Sequence, residues 1–262
     1  MHPIEWLRAV ARCDDAAHAD LAGEAASALA ALADEPNDLL LACRRLLDRH
    51  PDVGALWWVC ARMISASLAA SEARAIRRDL SSDQVGLNLA VDLPDDATVA
   101  VVGASALVSE LAERRGDLCI LCVAENGHTH DVRADNLVVV PPMSLGSTAA
   151  ASDVVLIDGW ATDGQRFLAA SGSLAAAVVA RHHDASGDDQ LDGHPAVWLV
   201  LGVGRRLPKA LFEEMRRRVV AAGQPWLARA DMVDLALVDR LIEPVAISCP
   251  SPPELLQQDS SA

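Results

Sequence analysis

Tyrosine is absent from this 262-residue chain, phenylalanine occurs twice, and aromatic residues amount to 3%. An interior built from Ala, Val and Leu instead favours closely packed helices over a β-sandwich. Lysine is as scarce: Lys209 stands alone, and arginine carries nearly all the positive charge within a net charge of −15. Binding to a phosphate backbone needs clustered basic side chains that release counterions. An acidic, lysine-poor chain is excluded from that class, and nucleic acid is not an expected partner. Long apolar runs are also missing. Leu174–Ala180 is far shorter than a membrane span and is ended by Arg181, so no membrane partner is expected. No basic segment followed by an apolar run opens the sequence, so no secretory signal is expected. Most of the six cysteines (13, 43, 60, 119, 122 and 249) sit in apolar contexts. That suits free thiols in a reducing compartment, and the expected location is cytoplasmic.

Familiar chemical signatures are lacking as well. There is no G-x-S-x-G, no Walker loop, no H-E-x-x-H and no paired-carboxylate motif. Cys119-Ile-Leu-Cys122 has the spacing of a metal or redox pair, but it lies in a strand-like run. Positions i and i+3 of a strand face opposite ways, so a buried structural pair is expected. His128 and His130 beside Asp131, and His182-His183 beside Asp184, offer no third ligand at a zinc-like spacing. No metal and no cofactor are expected.

What is present divides into two characters. Residues 1–92 read as helices, with turns at 34–38 and His50-Pro51. Leu39–Arg49 is amphipathic, and Gly54–Ala66 is apolar nearly all round, carrying Trp57-Trp58. Those tryptophans fit core or interface packing; stacking on a ligand base is the other reading. After Asp92 the pattern changes to short apolar runs at 98–102, 118–123, 137–140, 154–157 and 196–201, with helical stretches between them. This order predicts an α/β fold: an N-terminal helical region (1–92) followed by a Rossmann-like, doubly wound and mainly parallel sheet (95–247). The Ser-, Pro- and Gln-rich tail, 248–262, is expected to be disordered.

In such sheets ligands sit beyond the carboxyl ends of the strands. That points to Gly103–Ser105, Glu125–Gly127, Asp158–Thr162 and Gly202–Arg206. The turn at Gly103-Ala104-Ser105 has one glycine where a dinucleotide fingerprint needs three. Ser171-Gly172-Ser173 opens an Ala-rich helix whose free N–H groups could cradle a phosphate; a simple capped helix is the equal alternative. Arg205-Arg206 could complete an anion site by pairing with phosphate oxygens. The candidate ligand-binding set is therefore Gly103, Ser105, Asp158, Ser171, Gly172, Ser173 and Arg205, with no catalytic residue among them.

Taken together, Val154–Ile157, Gly164, Gly172-Ser173, Leu174–His183 and Pro195–Val200 resemble the C-terminal half of the translation initiation factor 2B alpha/beta/delta family. That family includes methylthioribose-1-phosphate and ribose-1,5-bisphosphate isomerases. The helical-then-α/β layout is similar too, and the chain looks like a diverged, actinobacterial-type member. The resemblance implies a homodimer formed through the α/β domain. It also exposes departures. The family's catalytic Asp falls on Trp160, its Asn-Lys pair falls on Ala169-Ala170, and its catalytic Cys has no counterpart in Gly103–Leu107. Moving a proton between adjacent carbons needs an acid or base in reach, which Trp and Ala cannot supply. The expectation is a catalytically diverged relative that binds a phosphorylated sugar or nucleotide or serves as a regulatory or assembly subunit. One alternative is an active isomerase-type enzyme using Asp158, Asp163 or Glu125. The other is an interaction module docking through the Trp57-Trp58 helix.

Overall fold

A computed structural model describes residues 18–103, 106–124, 134–182, 194–220, 224–244 and 249–256. Ser105, Glu125–Gly127, His128, His130, Asp131, His183, Asp184, the insert 186–193 and the first helix before residue 18 lie outside these.

The chain opens with helices α1 (His18–Ala30), α2 (Pro36–Arg49), α3 (Gly54–Ser65) and α4 (Ala69–Ser81). Pro36 starts α2 where a missing N–H costs nothing. Its apolar side, Leu39, Cys43, Leu46 and Leu47, is buried. Helix α3 is buried on nearly every side, with Trp57 and Trp58 both fully enclosed. Arg218 stacks on the Trp57 ring at 4.9 Å and Arg62 on the Trp58 ring at 4.7 Å. The docking alternative for this helix is thereby overturned: neither indole has surface left to offer a partner.

The next helix, α5 (Val85–Asp92), buries Val85, Leu89 and Ala90 against the sheet instead of the preceding helices. Strands β1 (Thr98–Val102), β2 (Cys119–Val123), β3 (Leu137–Val140), β4 (Val154–Thr162), β6 (Ala196–Val200) and β8 (Arg240–Ile242) form one parallel sheet. Its spatial order is β3-β2-β1-β4-β6-β8. That is the doubly wound, Rossmann-like arrangement, in which the strand order reverses between β1 and β4. Helix α6 (Ala106–Arg114) joins α5 on one face, over Val99, Val101 and Leu156. Helices α7 (Leu145–Ala150) and α8 (Ser173–His182) cover the other face, over Ala100, Val102 and Val155. Alternate residues of one strand serve opposite cores, the mark of a strand buried on both sides. On β2 the two cysteines face opposite ways, as i and i+3 of a strand must, but the expectation that both are buried fails: Cys122 is buried and Cys119 is exposed.

The sequence did not disclose a second sheet. Strand β4 does not stop at Ile157 but continues through Gly159 to Thr162, then folds back as β5 (Arg166–Ala170). A further strand, β7 (Ala230–Asp234), pairs antiparallel with β5. The turn between β4 and β5 is fixed by Asp163, whose carboxylate accepts from the N–H groups of Gln165 and Arg166 at 2.9 and 2.8 Å. Gly164 takes a φ of +90° there, which an L side chain rarely adopts. The second sheet carries the chain from the parallel sheet to the helical region. Ala161 and Leu168 are buried with α3 and with α9 (Lys209–Val219). Within the segment read as a disordered tail, Pro253–Leu256 forms a short helix, α10, with Leu255 buried.

Candidate functional site

Gly103, at the carboxyl end of β1, lies beside Asp158 in the middle of β4, because each follows the last β1–β4 pair, Val101 and Leu156, by two residues. Gly103 turns the chain with a φ of +83°. A Cβ there would stand 3.2 Å from the Cβ of Ala170. Gly172 has a φ of +101°, and a Cβ on it would meet Leu145 at 3.3 Å and Val102 at 3.5 Å. The fold thus brings Gly103, Ala170 and Gly172 together, although 69 positions separate the two glycines.

The start of α8 is already occupied. One carboxylate oxygen of Asp231, on β7, accepts hydrogen bonds from the N–H of Gly172 at 2.9 Å and of Leu174 at 3.0 Å. A helix N-terminus attracts anions through such free N–H groups and its partial positive charge. Here the anion is a side chain of the same protein. Ser171 is exposed, and its N–H donates to the carbonyl of Arg229 at 3.0 Å. Ser173 is fully buried, and its hydroxyl has no hydrogen-bond partner.

Asp158 and Arg205 also meet, but they satisfy each other. The Arg205 guanidinium pairs with the Asp158 carboxylate and donates to the carbonyl of Gly159 at 2.7 Å. Both side chains are largely buried, at 15% and 12% exposure. The loop that carries Arg205 is anchored from the helical region. Asp83 accepts from the N–H of Val203 at 2.7 Å and from the N–H of Val85 at 3.0 Å. Arg205 is therefore a structural clasp between β4 and this loop. Neither of its two partners is a ligand.

Groups suited to proton transfer or nucleophilic attack are correspondingly quiet. Trp160 is half-buried against the helical core. A Cβ on Gly54 would lie 1.9 Å from the Trp160 carbonyl oxygen, so the start of α3 presses directly on this strand. Burial competes with the two N–H bonds from Arg166 and Gln165 at Asp163, and the bonds win, holding its carboxyl below the ordinary range. It is an ionised turn-former and not a poised acid. Burial pushes the thiols of Cys60 and Cys122 up, and that of Cys249 up to about 12. None of these three offers a thiolate. Among the described residues no cluster of His, Cys, Asp and Glu could hold a metal ion. No helix among them is long and apolar enough to cross a membrane.

Sequence reasoning missed Asp231, the residue that decides the character of this site. It lies 59 positions from Gly172, on a strand that no apolar run announces. The one available signal was an acidic residue inside a short, mostly apolar segment, Ala230-Asp-Met-Val-Asp234.

No protein-family model matches the chain, and no curated protein matches its sequence. Solved structures do match its fold. Translation initiation factor eIF-2B from Pyrococcus horikoshii OT3 superposes with a TM-score of 0.67 at 11% identity, covering 92% of this chain and 94% of its own. The tetrameric eIF2B-beta2-delta2 complex from C. thermophilum gives a TM-score of 0.64 at 15% identity, covering 92% and 88%. The 5-methylthioribose 1-phosphate isomerase of P. horikoshii OT3 gives 0.56 at 14% identity, covering 92% and 82%. The chain has the fold shared by the initiation-factor structures and the isomerase.

Proposed function

We propose that this chain is a cytoplasmic, non-catalytic assembly subunit built on the fold shared by initiation factor 2B subunits and sugar-phosphate isomerases. The observation that carries this reading is Asp231. Its carboxylate fills the N–H pair at the start of α8, the one place where the sequence offered a phosphate cradle. The Asp158–Arg205 clasp supports it in the same way, since the cation in the candidate set is already neutralised. Trp160, Ala169 and Ala170 at the matched catalytic positions supply no acid, base or amine. One structural neighbour is described as part of a tetrameric complex, and a homo-oligomer of this chain is the corresponding expectation.

Thermal-shift titration with pentose phosphates and nucleoside monophosphates tests the reading. The wild-type Tm is expected to stay put across the panel, and sedimentation velocity is expected to find more than one copy per particle. A saturable rise in the wild-type Tm with any member of the panel would return the chain to the phosphate-binding class. In the Asp231→Ala variant the emptied N–H pair is expected to accept inorganic phosphate, seen as a Tm gain that the wild type does not show.

A further inference from the structure

The outer face of α4 carries the opposite sign to the chain as a whole. The exposed positions of this helix are Ala70, Ser71, Arg74, Arg77, Arg78 and Ser81. Ser71, Arg74, Arg78 and Ser81 recur at intervals of three and four residues, so they form one stripe, with Arg77 beside it. No carboxylate stands among these positions. The two acids of the helix, Glu72 and Asp79, turn toward α3, where the Arg62 guanidinium pairs with both. Arg62 is itself held by its stack on the Trp58 ring. Three arginines are thus left outside, on a chain whose net charge is −15.

Arginines of the α/β region are matched instead. Arg114 pairs with Glu110, Arg115 with Asp117, Arg181 with Asp239 and Arg206 with Glu243. Arg74 and Arg78 form no ion pair among the described residues, and Arg77 donates to the Ser27 hydroxyl at 3.5 Å. A second feature adjoins the stripe. Leu68, one turn before Ser71, is 73% exposed. It holds the N-cap position of α4 and gives the helix no side-chain cap, where Ser, Thr, Asp or Asn would stabilise it. Neither burial nor capping accounts for a leucine there, whereas a contact from outside does.

We propose that this stripe docks a short acidic segment of a different protein, with an apolar residue of that segment on Leu68. Chemistry selects the occupant. The planar guanidinium matches a carboxylate with two parallel hydrogen bonds. Arg74 and Arg78 are about 6 Å apart along the helix. Alternate residues of an extended segment are about 7 Å apart and point the same way, so acids at alternate positions reach both. Range sets the length. At physiological salt, charges beyond about 8 Å are largely screened, so the local arginines decide a contact that stays on the stripe. From Ser71 to Ser81 the stripe is about 15 Å long. A nucleic acid strand or an anionic membrane continues past it onto the acidic surface and is repelled there. A second copy of the chain brings its own −15 and is opposed in the same way. The contact is therefore with another chain and is independent of assembly between copies.

Fluorescence anisotropy tests this with a labelled peptide of alternating Glu and Ala that carries a Leu at each end, and circular dichroism melts verify folding. The wild type is expected to bind the peptide, more weakly as salt rises, and to ignore the same peptide with Gln for Glu. Arg74→Glu combined with Arg78→Glu is expected to raise the dissociation constant at least about tenfold with the fold intact. Leu68→Ser separates the two roles of that position: Tm is expected to rise, because serine caps α4, while peptide binding weakens about threefold. Arg45→Glu, on α2, is expected to leave binding unchanged. A wild type that does not bind the Glu peptide overturns the proposal. So does a loss with Arg45→Glu as large as with the α4 pair, which would show general charge and not the stripe at work. Displacement of the peptide by single-stranded DNA or by phosphatidylserine vesicles more readily than by unlabelled peptide would overturn the choice of a protein segment.

Discussion

Helices α3 and α8 look alike on paper and differ completely in place. Each runs eight residues from its start without a charge, Gly54–Ala61 and Ser173–Ala180. Every one of those positions in α3 is buried. In α8 only Ser173, Ala176, Ala177 and Ala180 are buried, and Leu174, Ala175 and Val178 look outward. The contrast comes from neighbours, not from apolar content. Helix α3 is enclosed by α1, α2, α4, α9 and β4. Helix α8 rests on α7, β4, β6 and β7 and has nothing beyond it among the described residues. Apolar enclosure marks the structural centre of this protein, and the outer side of α8 keeps its apolar residues exposed.

Changes inside α3 should therefore cost the most. Trp58→Ala removes a fully buried indole and is expected to destabilise the fold by about 3–5 kcal/mol, read by chemical denaturation. Gly204 already approaches this ring so closely that a Cβ would lie 2.8 Å from it, so little inward collapse is available. A loss under 1 kcal/mol would break the contrast, because it would mean that α3 is not the closed element described. Next in size is the capping residue of α8. Asp231→Ala is expected to cost about 1 kcal/mol, with the loss partly restored by phosphate. A smaller effect tests the link between the two regions, the pair between Glu213 on α9 and Arg166 on β5 at 2.8 Å. A hydrogen bond from Arg216 is the main cause that holds the Glu213 carboxyl below its ordinary value; burial opposes it and Arg166 assists. A depressed carboxyl stabilises above the unfolded-state value of about 4.3 and loses that contribution as pH falls through the folded-state value. Glu213→Gln is expected to lower Tm slightly at pH 7, with the gap to wild type closing in acid. A gap that stays constant with pH would show that packing, not charge, carries the residue. Smallest of all, Leu174→Glu with Val178→Glu is expected to change monomer stability by no more than about 0.5 kcal/mol. A large loss would show that the outer face of α8 is enclosed after all.

The parallel sheet was legible because its strands read as unbroken apolar runs: Thr98–Val102 and Ala196–Val200 are buried on both faces, and the edge run Leu137–Val140 is equally apolar although Val138 is exposed. The second sheet was not. Arg166-Phe-Leu-Ala-Ala170 is short and ends in alanines that favour helix. The continuation of β4 hides behind Gly159, which reads as a turn but is a strand residue packed tightly on Leu199 and Leu201. At the site, the glycines were identifiable by their turns, and the Asp158–Arg205 pair by its two strand ends. What those groups were occupied with was not, because each answer lies in a partner far along the chain: Asp83 for the Val203 loop, 120 residues away, and Asp231 for Gly172.

The Asp231 contact also sets an order in time. Leu174 receives its capping carboxylate from a residue 57 positions later. At synthesis rates of about 5–20 residues per second, that residue follows about 3–11 s after the helix it caps. Until then the growing chain carries an α8 whose first N–H groups have no protein anion to meet. A chain cut short before β7 would leave these N–H groups without the Asp231 carboxylate permanently.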